Sequence, residues 1–120
     1  ISHPIAKANV DRREADLALR SGDLVSATQA ALRAAAGYSA AGESSAAARC
    51  WRIAGDAEAL QGAAADALQF YRRAAHAQIR ISDWVGMQVT VTHAAALSSA
   101  EVCSTLDRLA SELSMLGGPR

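Results

Sequence analysis

Histidines and cysteines are the residues of this chain best suited to metal or nucleophilic chemistry, and their spacing argues against both. His3, His76 and His93 are widely separated, and none has a second histidine or a cysteine three or four residues away, as a helical zinc site requires. His93 and Cys103 could approach each other only across a predicted turn, and no motif supplies the oxyanion site that a Cys–His nucleophile needs. The glycines form no phosphate-binding loop. We therefore predict no metal, no cofactor and no enzymatic activity.

Arginine dominates the basic residues, since Lys7 is the only lysine among 12 basic side chains. Arginine favours bidentate and stacked contacts with anions. Two Arg-x3-Asp pairs occur in the chain, Arg12 with Asp16 and Arg52 with Asp56. They are either surface ion pairs, worth a few tenths of a kcal/mol each, or part of a groove that recognises an acidic or C-terminal peptide.

Composition predicts one helical domain over residues 1–120. Hydrophobic residues make up 51% of the chain and aromatic residues only 4%, while alanine supplies a quarter of it. Alanine has the highest helix propensity, and its small side chain lets helices approach closely. The net charge of zero argues against nonspecific nucleic-acid binding and mildly favours self-association. The two ends look like those of a domain cut from a longer protein.

Two cysteines without a disulfide pattern predict buried free thiols, and hence a cytoplasmic, reducing location. No apolar run approaches the length of a membrane span.

Glycines, proline and capping residues divide the chain into about six predicted helices. Met87–Thr92 alternates like a strand, but we predict a helix there because no second strand exists to pair with it. Ser98 and Glu101 form a capping box for the last helix. The predicted helices cover about residues 4–20, 24–41, 45–60, 63–81, 84–97 and 98–116.

One stretch has the spacing of a helix–turn–helix repeat. Its marked residues are Trp51, Ala54, Gly55, Gly62, Ala67, Tyr71 and Ala74. This spacing resembles one tetratricopeptide repeat, with the pattern W-x2-L-G-x2-Y followed by A-x3-F-x2-A. A weaker copy lies earlier in the chain, at Gly22, Ala27, Ala31 and Ala34, and Trp84 marks a third unit. Asp11 and Glu58 stand where the pattern has aromatic residues, and Ser104 and Asp107 in the last helix stand where it has an aromatic residue and an alanine.

The resemblance implies an all-α array of antiparallel hairpins whose first helices line a concave groove. It implies a protein–protein interaction scaffold or adaptor that binds a peptide or helix of a partner. The arginines favour an acidic partner. The candidate groove residues are Arg12, Asp16, Arg49, Arg52, Asp56 and His93. We expect Trp51 and Tyr71 to be buried between the helices.

Two alternatives remain open. The segment from Arg12-Arg13 through Gly22 to Tyr38 also resembles the start of a microtubule-interacting-and-trafficking domain, a three-helix bundle that binds short helical motifs. In addition, the last helix has a leucine stripe that is either a cap on the array or a face for self-association. Its members are Leu106, Leu109, Leu113 and Leu116.

Overall fold

Turns at equal intervals divide the chain into helices. A computed structural model describes residues 4–97 and Ser111, and this part of the chain is all-α. Its helices are α1 (Pro4–Ser21), α2 (Leu24–Ala40), α3 (Ser44–Leu60), α4 (Ala64–Arg80) and α5 (Trp84–Ala95). The interval from the start of one helix to the start of the next is the same throughout, so the structural unit is one helix with its turn.

The four turns share one backbone geometry. Each has a residue with positive φ, which is glycine in the first three turns and Ser82, at 58°, in the fourth. The next amide then donates to the carbonyl five residues earlier, which satisfies a free carbonyl at the helix end. These bonds join Asp23 to Ala18, Glu43 to Tyr38, Ala63 to Glu58 and Asp83 to Gln78, at 2.8–2.9 Å. The predicted stops at Gly22, Gly42 and Gly62 are confirmed.

Most predicted helix starts are also confirmed, within one or two residues. Asp83 caps α5 by accepting a hydrogen bond from the amide of Gly86, and the β-branched segment that follows is helical. Glu43 occupies the capping position of α3 without a side-chain bond. Apart from Ser111, the predicted sixth helix lies outside the described residues.

Alanine forms most of the core. Fourteen of the 18 buried hydrophobic residues are alanines, so the helix axes can approach closely, as predicted. The exceptions include Tyr38 and Tyr71, whose hydroxyl groups donate to Asn9 and Asp56. The predicted burial of Tyr71 and of its alanine neighbours is confirmed.

The two tryptophans differ from expectation. Trp51 is only half-buried, and the guanidinium of Arg73 lies over its ring at 5.7 Å from the centroid. Trp84 is 56% exposed. Trp51 is the eighth residue of α3 and Trp84 is the first of α5, so the two do not occupy equivalent positions. The prediction that Trp84 anchors a third unit is therefore wrong.

Contacts between non-consecutive helices define an inner side of the array. Each helix packs against the next, and in addition α1 contacts α3 and α3 contacts α5. Among the described helices, no such contact joins α2 to α4. The odd-numbered helices therefore lie closer together than the even-numbered ones, and we call their layer the inner layer.

Candidate functional site

A groove of about 760 Å³ opens at one end of the inner layer. We call it the inner groove. Its apolar walls are Leu19 of α1, Leu60 of α3 and Leu97 after α5, and its polar lining includes Asp56, Tyr71 and His93. Leu60 is 66% exposed. The groove thus combines exposed apolar side chains with a few polar groups, which is the usual make-up of a binding site.

Asp56 organises the polar part of the inner groove. Its Oδ1 accepts a hydrogen bond of 2.6 Å from the hydroxyl of Tyr71, and the Nδ1 of His93 lies 2.7 Å from the same oxygen. A carboxylate only accepts, so Nδ1 of His93 carries the hydrogen. Asp56 Oδ2 and His93 Nε2 have no hydrogen-bond partner among the described residues, which leaves both for a ligand.

A glycine positions the Tyr71 ring in this cluster. Gly55 lies on α3 where the ring of Tyr71 from α4 approaches, and a Cβ at position 55 would lie 2.6 Å from Tyr71 Cε1. The same ring meets the imidazole of His93 edge to face, with centroids 6.3 Å apart. Tyr71 therefore joins α3, α4 and α5 at one point.

The surroundings of Tyr71 keep its hydroxyl protonated. Burial raises the pKa of Tyr71 well above its ordinary value, and the hydrogen bond to Asp56 and the charge of Asp56 raise it further. The positive charge of Arg52 opposes this shift only in part. The hydroxyl is thus a fixed hydrogen-bond donor, which suits positioning of the Asp56 carboxylate rather than proton transfer near neutral pH.

The remaining predicted arginines lie around Cys50, at the contact between α1 and α3. Cys50 is fully buried and free, as predicted. Burial raises the pKa of Cys50 to about 11, while the charges of Arg12 and Arg49 lower it and that of Asp16 raises it. These three charged residues are therefore close enough to one thiol to act on it together.

The alternative of two surface ion pairs is wrong. Arg12 and Arg52 do occupy equivalent positions, the ninth in α1 and in α3. Neither guanidinium, however, lies within 4.0 Å of the aspartate four residues on. Asp56 pairs with His93 instead. The Nε of Arg12 is buried without a hydrogen-bond partner.

Sequence reasoning placed Asp56 and His93 in one group but missed their direct contact. The two residues are 37 positions apart, and His93 was paired with Cys103, which lies outside the described residues. The equal spacing of the turns was the available signal. Asp56 is the thirteenth residue of α3 and His93 is the tenth residue of α5. Equal spacing of the turns therefore places the two residues at similar positions along the axes of adjacent helices of the inner layer.

Metal clusters and membrane spans are both absent from the described residues. These residues contain no group of three or more His, Cys, Asp or Glu side chains that could hold a metal ion. None of their helices is long and apolar enough to cross a bilayer. The leucine stripe of the last helix (Leu106, Leu109, Leu113 and Leu116) lies outside them, so self-association through it stays a prediction, as does the cytoplasmic location.

Comparisons with protein-family models, with curated proteins and with solved structures gave no match. We therefore base the function on the geometry of the inner groove.

Proposed function

We propose that this chain is a protein–protein interaction module, built as a tetratricopeptide-like array of antiparallel helix pairs. A peptide or helix of the partner binds in the inner groove. Close packing of α1, α3 and α5, with α2 and α4 further apart, supports an array whose first helices line the binding side. A pair of helices, from the start of α1 to the start of α3, is longer than the roughly 34 residues typical of the family, and each helix is longer to match.

The observation that carries this proposal is the lining of the inner groove. Leu60 is largely exposed beside Leu19 and Leu97, and covering one exposed leucine contributes about 1.5–3 kcal/mol to binding. Asp56 Oδ2 and His93 Nε2, which have no hydrogen-bond partner within residues 4–97, lie in the same groove and can bond a partner's backbone amides and side chains. Such a mixture of apolar and oriented polar groups favours a peptide over a flat protein surface.

The arginines of the inner layer extend this surface toward acidic partners. Arg12 and Arg49 act together on Cys50, and Arg52 acts on Tyr71 beside the inner groove. Arg49 is exposed and has no carboxylate within 4.0 Å among the described residues. A peptide that fills the inner groove and continues along α3 would place carboxylates beside these guanidinium groups.

Selection from a displayed peptide library, followed by affinity measurement with variants, tests the proposal. Leu60→Lys places a charge on the groove wall, and Val85→Lys is its matched control. Val85 is 76% exposed and lies at the opposite end of α5. We expect Leu60→Lys to weaken binding of selected peptides at least tenfold and Val85→Lys to leave it unchanged. Equal affinity in the two variants would contradict binding in the inner groove.

A second pair of variants tests the contribution of the arginines. Arg49→Glu reverses an exposed charge on the inner layer, and Arg13→Glu makes the same change at an exposed site of α1. Selected peptides that contain Asp or Glu should lose affinity with Arg49→Glu and keep it with Arg13→Glu. The same loss in both variants would mean that only the overall charge matters.

A further inference from the structure

A second groove, between α3 and α4, is lined by basic residues. It has a volume of about 450 Å³, and its lining includes Trp51, Arg72, Arg73, His76 and Arg80. None of its lining residues is acidic. We call it the basic groove. It shares no lining residue with the inner groove, so the two surfaces can be tested separately.

The basic side chains of α4 form a strip of positive charge that the neighbouring described carboxylates do not neutralise. Arg72, His76 and Arg80 follow one another at intervals of four residues and therefore lie on one helix face. No carboxylate lies within 4.0 Å of the guanidinium groups of Arg72, Arg73 or Arg80 in the described part of the chain. Only Arg80, in the last turn, is favoured there by the helix dipole.

The shape of the basic groove selects among anionic partners. The guanidinium of Arg73 covers Trp51 at 5.7 Å, and Trp51 also packs against the core cluster that includes Tyr38 and Cys50. Arg73 thus occupies one face of the ring, which is therefore not left for the base stacking on which single-stranded nucleic acids depend. A concave groove also fits a flat lipid surface poorly. An adjoining depression of about 280 Å³ shares Trp51 and Arg80 and lengthens the groove for an extended chain.

The spacing of the strip matches that of an extended peptide. Residues four apart in a helix are separated by about 6 Å along its axis. Alternate residues of an extended strand point to the same side and are separated by about 6.6 Å. Carboxylates at every second position of such a peptide can therefore face Arg72, His76 and Arg80 in turn.

We propose that the basic groove binds a short, extended acidic peptide segment with Glu or Asp at alternate positions. The guanidinium groups of Arg72 and Arg80 bind two of its carboxylates, and His76 lies between them. The segment neutralises a strip of charge that the described residues leave unpaired. This binding surface is additional to the inner groove, and its occupation does not depend on the proposed function.

A fluorescein-labelled peptide with the sequence Glu-Ala-Glu-Ala-Glu tests this proposal with the full chain by fluorescence anisotropy at low salt. Arg72→Gln with Arg80→Gln should weaken binding about tenfold, as expected for the loss of two charged contacts. Arg13→Gln with Arg20→Gln is the matched control, because it removes the same charge from exposed positions on α1. The control should change the affinity less than twofold.

Peptide spacing and tryptophan emission give two independent checks. An isomer with three consecutive glutamates should bind several-fold more weakly, and equal affinity would contradict the alternating arrangement. In a Trp84→Phe protein Trp51 is the only tryptophan, and its emission should change when the peptide binds. This measurement leaves the basic groove intact, so it remains valid if the double arginine variant fails to fold.

Each of the following results would overturn the proposal. The first is an equal loss of affinity in the α1 control, and the second is a greater loss with Arg49→Gln and Arg52→Gln, which would place the peptide on the inner layer. The third is tighter binding of a single-stranded oligonucleotide or of anionic phospholipid vesicles with the same dependence on Arg72 and Arg80. Unchanged Trp51 emission at saturating peptide would also contradict it.

Discussion

Replacement of Gly55 by alanine is the most direct test of the packing around the inner groove. An added Cβ would lie 2.6 Å from Cε1 and 2.8 Å from Cδ1 of Tyr71. Ordinary carbon–carbon contacts are about 3.5–4.0 Å, so the ring has to move by roughly 1 Å. The ring is a rigid side chain that is held at its hydroxyl by Asp56. Movement therefore strains the packing and the hydrogen bond together.

The expected cost follows from three contributions. Overpacking of a core site costs about 1–3 kcal/mol. Lengthening the 2.6 Å bond between Tyr71 and Asp56 by about 1 Å removes a charged hydrogen bond, which costs roughly 1–3 kcal/mol more. Alanine offsets about 0.5–1 kcal/mol, because it favours the helix more than glycine does. We expect Gly55→Ala to lower the free energy of unfolding by about 1–5.5 kcal/mol.

Urea unfolding followed by circular dichroism measures this change, and a second variant isolates its cause. In a Tyr71→Val background the atoms that clash with position 55 are absent. There, Gly55→Ala should raise stability by its helix propensity, so the effect changes sign. A stabilising Gly55→Ala in the parent chain would refute the close approach of Tyr71. Destabilisation of the same size in both backgrounds would refute the assigned cause.

Three further predictions concern other parts of the described structure. Ser82→Gly should raise the melting temperature, since a non-glycine residue with positive φ costs about 1–2 kcal/mol, partly offset by the entropy of glycine; a lower melting temperature would contradict this. Thr90→Val should lower the free energy of unfolding by about 1–3 kcal/mol, because buried Gln78 loses the 2.8 Å bond to its Oε1; chemical denaturation measures the loss. In a Cys103→Ser protein, Cys50 should react slowly with a thiol reagent at pH 8, because its pKa is about 11 and it is buried. Because the pKa of Cys50 is higher in the folded than in the unfolded chain, the thiol stabilises the fold at pH values below its ordinary pKa of 9.0. This contribution to stability is lost as the pH rises from about 9 to 11. Rapid labelling of Cys50 in the native protein would contradict its burial and raised pKa.

The fold was predictable where local chemistry decides it. Gly22, Gly42 and Gly62 end helices because the turn needs a positive φ, and this requirement is visible in the sequence. The fourth turn has the same geometry but has Ser82 in place of a glycine. The positions of the glycines alone therefore do not reveal that all four turns are equally spaced. The β-branched segment of α5 was assigned correctly only because no partner strand exists.

The site was harder to predict because it depends on which helices are neighbours. Arg52 and Asp56 have the spacing of an ion pair, yet Asp56 bonds Tyr71 and His93 from two other helices. Trp51 was expected to be buried between the helices, but it is only half-buried and its ring contacts the exposed Arg73 of α4. In both cases a contact between helices replaced the one that local spacing suggested.

The order of contacts along the chain also bears on how this protein folds. Each described helix contacts only helices that are one or two places away in sequence. The hydrogen bond between Asp56 and His93, in the lining of the inner groove, joins residues 37 positions apart. Short spans keep the entropy of loop closure low, and proteins with such local contacts fold fast. Stability is then shared between neighbours, so a terminal unit can open while the rest stays packed. Because α3 contacts all four other described helices, its amides should exchange with solvent most slowly, and folding should nucleate around it.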